Sequence, residues 1–320
     1  MASYPDLLED RISHLPPRKR RELALVAKIL FEEFQQAQSS RNKKILRNGR
    51  ILKLVLFGSY ARGSWVEDRA SGYFSDYDLL VIVSKEDFTE PEFWRHAEER
   101  IDREWLVTKR IKTPVEPIYH SYEDVNGQIA MGRPFFLDIL RDGIVLYEAE
   151  GYPFSKPGRM TPAQKHEEAQ RYFDEWYALS LSGLKAAKFC LSESHSSMDA
   201  SMRDAVFLAH QATERIYHCF LLTLTLYSPK MHNIKKLRSL AEAVVPELAD
   251  IWPRNKRMYK RAFELLRRAY VEARYSPEYE ITREELEWVF ERIELLQHKV
   301  KEICEAHLQQ SATVPPRTMT

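Results

Sequence analysis

The fold-deciding stretch is FGSYARGSWVEDRASGYFSDYDLLVIV, which covers Phe57–Val83 of the 320-residue chain. It begins where the mostly apolar run ILKLVLF (Ile51–Phe57) ends, and it closes with a second apolar run, YDLLVIV (Tyr77–Val83). Short apolar runs that end at turn residues are typical of buried strands. The stretch therefore predicts a strand, a Gly-Ser turn, a short helix and a second strand.

The Gly-Ser turn has the residue types of a phosphate-binding loop. Gly58 lets the backbone come close to a ligand, and Ser59 offers a hydroxyl group. The free N–H groups at the start of the following short helix favour an anion such as phosphate. Arg62, near the end of that helix, could help to bind the anion or could form an exposed ion pair.

Two aspartates stand at the start of the second strand. Asp76 and Asp78 are two residues apart, so their side chains share a face. Like charges this close are costly unless a cation lies between them, and oxygen-only ligation suits Mg²⁺ or Mn²⁺. Glu116, in the predicted strand TPVEPIYH, is the candidate third acid, either for the metal or for accepting a proton from an attacking hydroxyl.

The whole arrangement resembles the minimal nucleotidyltransferase signature of the polymerase-β-like superfamily, in which GSxARG is followed by SDxD. The resemblance implies that Asp76 and Asp78 bind Mg²⁺ and that Gly58 and Ser59 hold a nucleoside triphosphate, with Arg62 and Ser75 beside it. It also implies a third acid on a later strand, which is carried over to Glu116. Eleven residues (64–74) separate Gly63 from Ser75, which is more than the family pattern has. This longer loop could form part of an acceptor pocket or could weaken nucleotide binding.

The surrounding sequence predicts a small α/β domain. Helices are expected over Arg18–Gln38 and Pro91–Val107, and further strands over Thr113–His120 and Gly143–Glu148. Two prolines place the strand Thr113–His120 near an edge of the sheet. Strands that alternate with helices predict a small mixed sheet with helices packed on it.

The second half of the chain is expected to be all-α. Apolar positions recur every three or four residues, and proline-containing breaks separate five helical stretches, which predicts an up-and-down bundle. We expect a helical segment over 1–50, the α/β domain over 51–150, a linker over 151–162, the bundle over 163–308 and a mobile tail over 309–320.

The bundle carries a second resemblance. The segments FLAHQATERIYHCFLL (Phe207–Leu222), Met231-His232-Asn233 and AYVEARYSPEY (Ala269–Tyr279) resemble HEPN domains, which commonly accompany minimal nucleotidyltransferases. The combined architecture is similar to kanamycin-type nucleotidyltransferases and to fused nucleotidyltransferase–HEPN proteins. It suggests a possible homodimer.

Three residues of the bundle are candidate contacts for a nucleotide or RNA. Many HEPN domains are ribonucleases with Arg, four to six residues and then His, and Arg203 and His210 meet that spacing within an apolar helical run. His210 is otherwise a packed helix histidine, and His232 a helix-cap or surface residue. Arg274 ends a basic helix that is either a solvated face or a positive surface for phosphates.

Composition narrows the class of protein. Apolar residues make up 44% and charged residues 30%, which excludes disorder for the bulk of the chain. Lys plus Arg is 48 and Asp plus Glu is 47, so a polybasic coat for duplex nucleic acid is not expected. The three cysteines are far apart, no apolar run approaches the roughly 18 residues of a membrane span, and no signal peptide is visible. We expect a cytoplasmic protein without a membrane partner.

Together these features predict transfer of a nucleoside monophosphate, from ATP or another NTP, to a hydroxyl group of a small molecule, a protein or RNA. The alternative is a nucleotide- or RNA-binding HEPN module of the ribonuclease or toxin–antitoxin type. In that case the nucleotidyltransferase domain would be regulatory or inactive.

Overall fold

The computed structural model describes residues 11–39, 48–68, 73–196 and 198–312. The chain divides into two compact units, the first ending at Arg159 and the second beginning at Met160. Residues 1–10 and most of the predicted tail, from residue 313 onward, lie outside the described residues.

The first unit is the α/β part of the chain. Its helices are α1 (Pro17–Ser39), α2 (Gly58–Arg62), α3 (Pro91–Leu106), α4 (Tyr122–Met131) and α5 (Pro134–Asp142). Its strands are β1 (Ile51–Phe57), β2 (Glu67–Asp68), β3 (Tyr73–Phe74), β4 (Tyr77–Val83), β5 (Val115–Ser121) and β6 (Ile144–Glu148). The predicted combination of a small sheet with helices is confirmed.

Four of these strands form one mixed sheet in the order β5-β4-β1-β6. β4 and β5 are parallel, whereas β1 is antiparallel to both β4 and β6. The proline-containing strand β5 lies at an edge, as predicted, because proline cannot donate a hydrogen bond to a second neighbour. β2 and β3 pair with each other in a hairpin within the long loop, whose residues 69–72 lie outside the described residues.

One face of the sheet carries the hydrophobic core of this unit. Alternate residues of β1 and β4, including Leu54, Leu56 and Leu79, pack against the apolar stripes of α1 and α3. The aromatic ring of Phe34 on α1 lies 5.3 Å from that of Trp94 on α3, and Trp94 stacks on Tyr119 of β5 at 4.2 Å. α1 is therefore an integral layer of this unit.

The second unit is a helical bundle, which confirms the predicted all-α half. Its helices are α6 (Pro162–Ser192), α7 (Ala200–Thr225), α8 (Ile234–Val244), α9 (Arg257–Tyr275) and α10 (Arg283–Ala312), with a 3₁₀ helix over Pro246–Ile251. α7 lies at the centre and packs against the other four α-helices. A capping box of Thr161 and Gln164 begins α6, and the Asp199 carboxylate caps α7.

Within the described residues, no helix combines the length and the apolar character that crossing a bilayer requires.

Candidate functional site

The sheet register places two of the predicted acidic residues in one row. Asp78 on β4 is the direct partner of Glu116 on β5, and on the other side Asp78 is opposite Phe57 of β1. Partners in a sheet project on the same face, so Asp78 and Glu116 are neighbours on adjacent strands. Asp76 precedes β4 by one residue, and all three acidic side chains are half-buried.

Gly58 lies directly against Asp78. Its backbone has a φ of +71°, which is the left-handed region that glycine adopts at no steric cost. A Cβ atom built on Gly58 would lie 1.9 Å from Oδ2 of Asp78. The Gly-Ser turn and the acidic strand therefore meet at a point where no side chain fits.

The rest of the turn is closed by backbone hydrogen bonds. The carbonyl oxygen of Ser59 accepts from the N–H of Gly63 and, at 2.9 Å, from the N–H of Ser64. Arg62 projects from this turn as an exposed side chain. A hydrogen bond from Arg141 lowers the pKa of Asp142, and the positive charges of Arg141 and Arg62 lower it further.

Ser75 holds the base of the long loop. Its hydroxyl oxygen accepts a hydrogen bond from the N–H of Val66 at 2.9 Å, and its own N–H donates to the carbonyl of Val66 at the same distance. The side chain is buried. The predicted nucleotide-binding serine thus has a backbone partner in the loop.

The site's oxygen donors are of the type that a hard divalent cation prefers. Within the described ranges, no three His, Cys, Asp or Glu side chains form a group that could hold a metal ion by themselves. Mg²⁺ commonly takes one or two carboxylates and completes its coordination with substrate phosphates and water. Asp76 and Asp78, with the glycine cradle beside Asp78, fit that partial role.

In the helical unit, the three predicted contact residues surround one aromatic ring. The ring of Tyr270 on α9 lies 4.3 Å from that of His232, 5.4 Å from that of His210 and 4.9 Å from the guanidinium of Arg274. His232 and Tyr270 are stacked, with an angle of 16° between their planes. The three residues lie on different elements, and the fold brings them together.

Glu214 is a fourth member of this group that sequence reasoning missed. Its carboxylate is 3.1 Å from Nδ1 of His232 and 3.9 Å from ring nitrogens of both His210 and His218. His218 also pairs with the hydroxyl of Ser228 at 2.7 Å. The spacing of His210, Glu214 and His218, four residues apart on α7, is the signal that could have identified the group.

His210 is the most deeply buried member. It is 0% exposed, and its Nδ1 lies 3.9 Å from the Glu214 carboxylate. Burial lowers its pKa to about 4, and burial also lowers the pKa of His218. His210 is therefore neutral at neutral pH.

Arg203 stands at the ribonuclease spacing from His210 in the sequence, and its side chain contacts the end of α9. Its guanidinium donates hydrogen bonds to the carbonyl oxygens of Ala273 at 3.1 Å and Ser276 at 3.0 Å. These carbonyls belong to the C-terminal end of α9, where cationic donors are favourable. Arg203 thus ties α7 to the end of α9.

Models of known protein families match both units of the chain. Residues 39–125 match the family model described as nucleotidyltransferase domain, and residues 164–303 match the HEPN domain. A search of curated proteins found no match. The chain therefore carries a nucleotidyltransferase domain followed by a HEPN domain, as the sequence motifs predicted.

Proposed function

We propose that the protein is an active nucleotidyltransferase which moves a nucleoside monophosphate, AMP from ATP, to a hydroxyl group of an acceptor. The observation that supports this most strongly is the meeting of Gly58 with Asp78, beside the Asp78–Glu116 row. It joins a turn open to phosphate with carboxylates that project on one face of the sheet.

Each residue of this site has a distinct proposed role. Gly58 and Ser59 bind the β- and γ-phosphates through backbone N–H groups and the hydroxyl, with Arg62 and Ser75 beside them. Asp76 and Asp78 are the residues that would hold Mg²⁺ or Mn²⁺, which when bound would neutralise phosphate charge, and Glu116 beside Asp78 is the third acid. In the reaction, the acceptor oxygen forms a bond to the α-phosphorus, the bond to the pyrophosphate oxygen breaks, and pyrophosphate leaves. Glu116 accepts the proton of the attacking hydroxyl.

The acceptor class is the part of the proposal that a labelling experiment resolves. Purified protein is incubated with ATP labelled at the α-phosphate, with Mg²⁺, in the presence and absence of cell extract. We expect label on a small molecule, on RNA or on protein, and none when the label is at the γ-phosphate. Transfer of the γ-label instead would contradict nucleotidyl transfer, and absence of both would contradict an active enzyme.

A second candidate function belongs to the helical unit, and the residues around Tyr270 favour it. The exposed His232 and Arg274, with the stacked Tyr270, could bind a phosphate and a base of RNA. RNA cleavage at this site would be independent of metal. It would persist in EDTA and in an Asp76→Asn variant, and would be lost in His232→Ala. RNA cleavage that is lost in Asp76→Asn and kept in His232→Ala would exclude this function for the helical unit.

A further inference from the structure

A buried network of polar side chains lies beneath the proposed nucleotidyl-transfer site, on the opposite face of β4 from Asp78. We propose that Lys19 and Glu22 of α1 are positioning residues which lock the Gly-Ser turn to the aspartate-bearing strand. The proposal deepens the proposed function and rests on it for its catalytic consequence. Its structural part can be tested whether or not the enzyme is active.

Lys19 reaches the Gly-Ser turn. Its ammonium group is buried and donates to the hydroxyl of Tyr60 at 2.8 Å and to the hydroxyl of Thr113 at 2.5 Å, and it forms an ion pair with Glu67. An ammonium group has three N–H donors, so these three partners account for its full donor capacity. Tyr60 is a residue of α2, two positions after Gly58, and it is 0% exposed.

Glu22 reaches the aspartate strand. Its Oε2 atom accepts from the hydroxyl of Tyr77 at 3.1 Å and from the hydroxyl of Thr113 at 3.0 Å. Tyr77 stands between Asp76 and Asp78, and because neighbours on a strand project to opposite faces, its ring enters the core beneath them.

The two tyrosines complete the link. Their rings are 4.5 Å apart, and the Lys19 ammonium lies 5.0 Å from the centre of the Tyr60 ring and 5.6 Å from that of Tyr77. The hydroxyl of Thr113 accepts from Lys19 and donates to Glu22, and Thr113 lies three residues before Glu116 in the sequence. The segments that carry Gly58, Asp78 and Glu116 therefore all meet at one turn of α1.

Buried charges of this kind are a weak source of stability, because desolvation offsets much of their attraction. A network of directional hydrogen bonds instead favours one geometry. Here Oε2 of Glu22 accepts from two hydroxyl groups, while its Oε1 forms an ion pair with Arg18 at 3.3 Å. Lys19 and Glu22 also precede residue 39, where the nucleotidyltransferase family match begins. We infer that α1 supplies this chain with a positioning element from outside the matched motif.

Hydrogen exchange of the backbone amides, read by mass spectrometry on the full chain, tests the link. Tyr77→Phe removes one hydroxyl and Lys19→Met removes one ammonium group. The matched control is Lys28→Met, since Lys28 is on the same helix but is exposed and 3.8 Å from its partner Glu32. We expect exchange in peptides covering 59–66 and 75–80 to rise by about tenfold in both test variants, while peptides of α3 stay unchanged.

The catalytic consequence is tested on the same variants. Well below each variant's unfolding midpoint, we expect kcat for nucleotidyl transfer to fall by about tenfold in Tyr77→Phe and to stay at the wild-type value in Lys28→Met. Unchanged exchange in both test variants would overturn the positioning link. Faster exchange with wild-type kcat would overturn its catalytic role. A wild-type protein without transfer activity would contradict the proposed function, while the exchange result would still decide the link.

Discussion

Gly58 and Asp78 pack so closely that a Cβ atom on Gly58 would lie 1.9 Å from the Oδ2 atom of Asp78. The first residue lies in a turn suited to phosphate, and the second is on the strand whose carboxylates are suited to a cation. On the proposed function, their contact sets the distance between the bound phosphate and the carboxylate groups. It is also a contact that a single methyl group would break.

Gly58→Ala is expected to disrupt this contact. The substitution places alanine at a φ of +71°, which costs about 1 to 2 kcal/mol in backbone strain, and it also forces Asp78 to move. We expect the affinity for Mg²⁺-ATP to fall by more than tenfold, as measured by calorimetry.

The control is Gly63→Ala, because Gly63 has a φ of +74° but, among the described residues and apart from its chain neighbours, no atom lies within 4 Å of the position of its Cβ. Its free energy of unfolding should fall by a similar amount through backbone strain, and its ATP affinity should stay at the wild-type value. Equal ATP affinities in the two variants would show that the contact with Asp78 does not matter.

His210 should make the stability of the protein depend on pH. Its pKa is about 4 in the folded protein and about 6.5 when unfolded, so the unfolded state binds the proton first as the pH falls. The contribution of neutral His210 to the free energy of unfolding is fully present above about pH 6.5 and is lost progressively towards pH 4. Through His210, the free energy of unfolding of the wild-type protein should fall by about 2 kcal/mol between pH 7 and pH 5. We expect this fall to be absent in His210→Leu, as measured by urea unfolding.

A matched control for this effect is His298→Leu, since His298 lies on α10 and is 69% exposed. It should leave the pH dependence of the wild-type protein unchanged. A His210→Leu variant that keeps the full pH dependence would assign the effect to other groups.

Arg203 is expected to contribute to stability through its contacts with the end of α9. Arg203→Ala removes hydrogen bonds from a charged donor to the carbonyls of Ala273 and Ser276 and should lower the free energy of unfolding by about 1 to 3 kcal/mol. Arg267→Ala removes an exposed ion pair with Glu264 three residues away and should change it by about 0.5 kcal/mol or less. Equal effects of the two substitutions would contradict the capping role.

The sequence was sufficient to predict the parts of the fold that depend on local pattern. The strands β1 and β4 were predicted with the bounds that the structure has, because each is a short apolar run that ends at turn residues. The edge position of β5 followed from its prolines. The five helices of the second unit followed from their apolar period.

Contacts between distant segments could not be predicted in this way. Lys19 and Glu22 lie at buried positions of α1, and charged residues on an apolar stripe were the available signal. Their partners Tyr60, Tyr77 and Thr113 come from three other segments, which the sequence does not place beside α1. His210, His232 and Arg274 were each named separately, and the single ring that they share, Tyr270, emerged only from the packing of α7 against α9.

The measurement that tests the central proposal most directly compares AMP transfer by Asp78→Asn with transfer by Asp87→Asn, in the presence of Mg²⁺. Both variants lose one carboxylate charge, but Asp87 is exposed in the 3₁₀ helix Glu86–Phe88, away from the Gly58 contact. We expect Asp78→Asn to slow transfer by about 100-fold or more while its unfolding midpoint stays close to that of the wild type, and Asp87→Asn to transfer at the wild-type rate. Wild-type turnover in Asp78→Asn would contradict the assignment of this site.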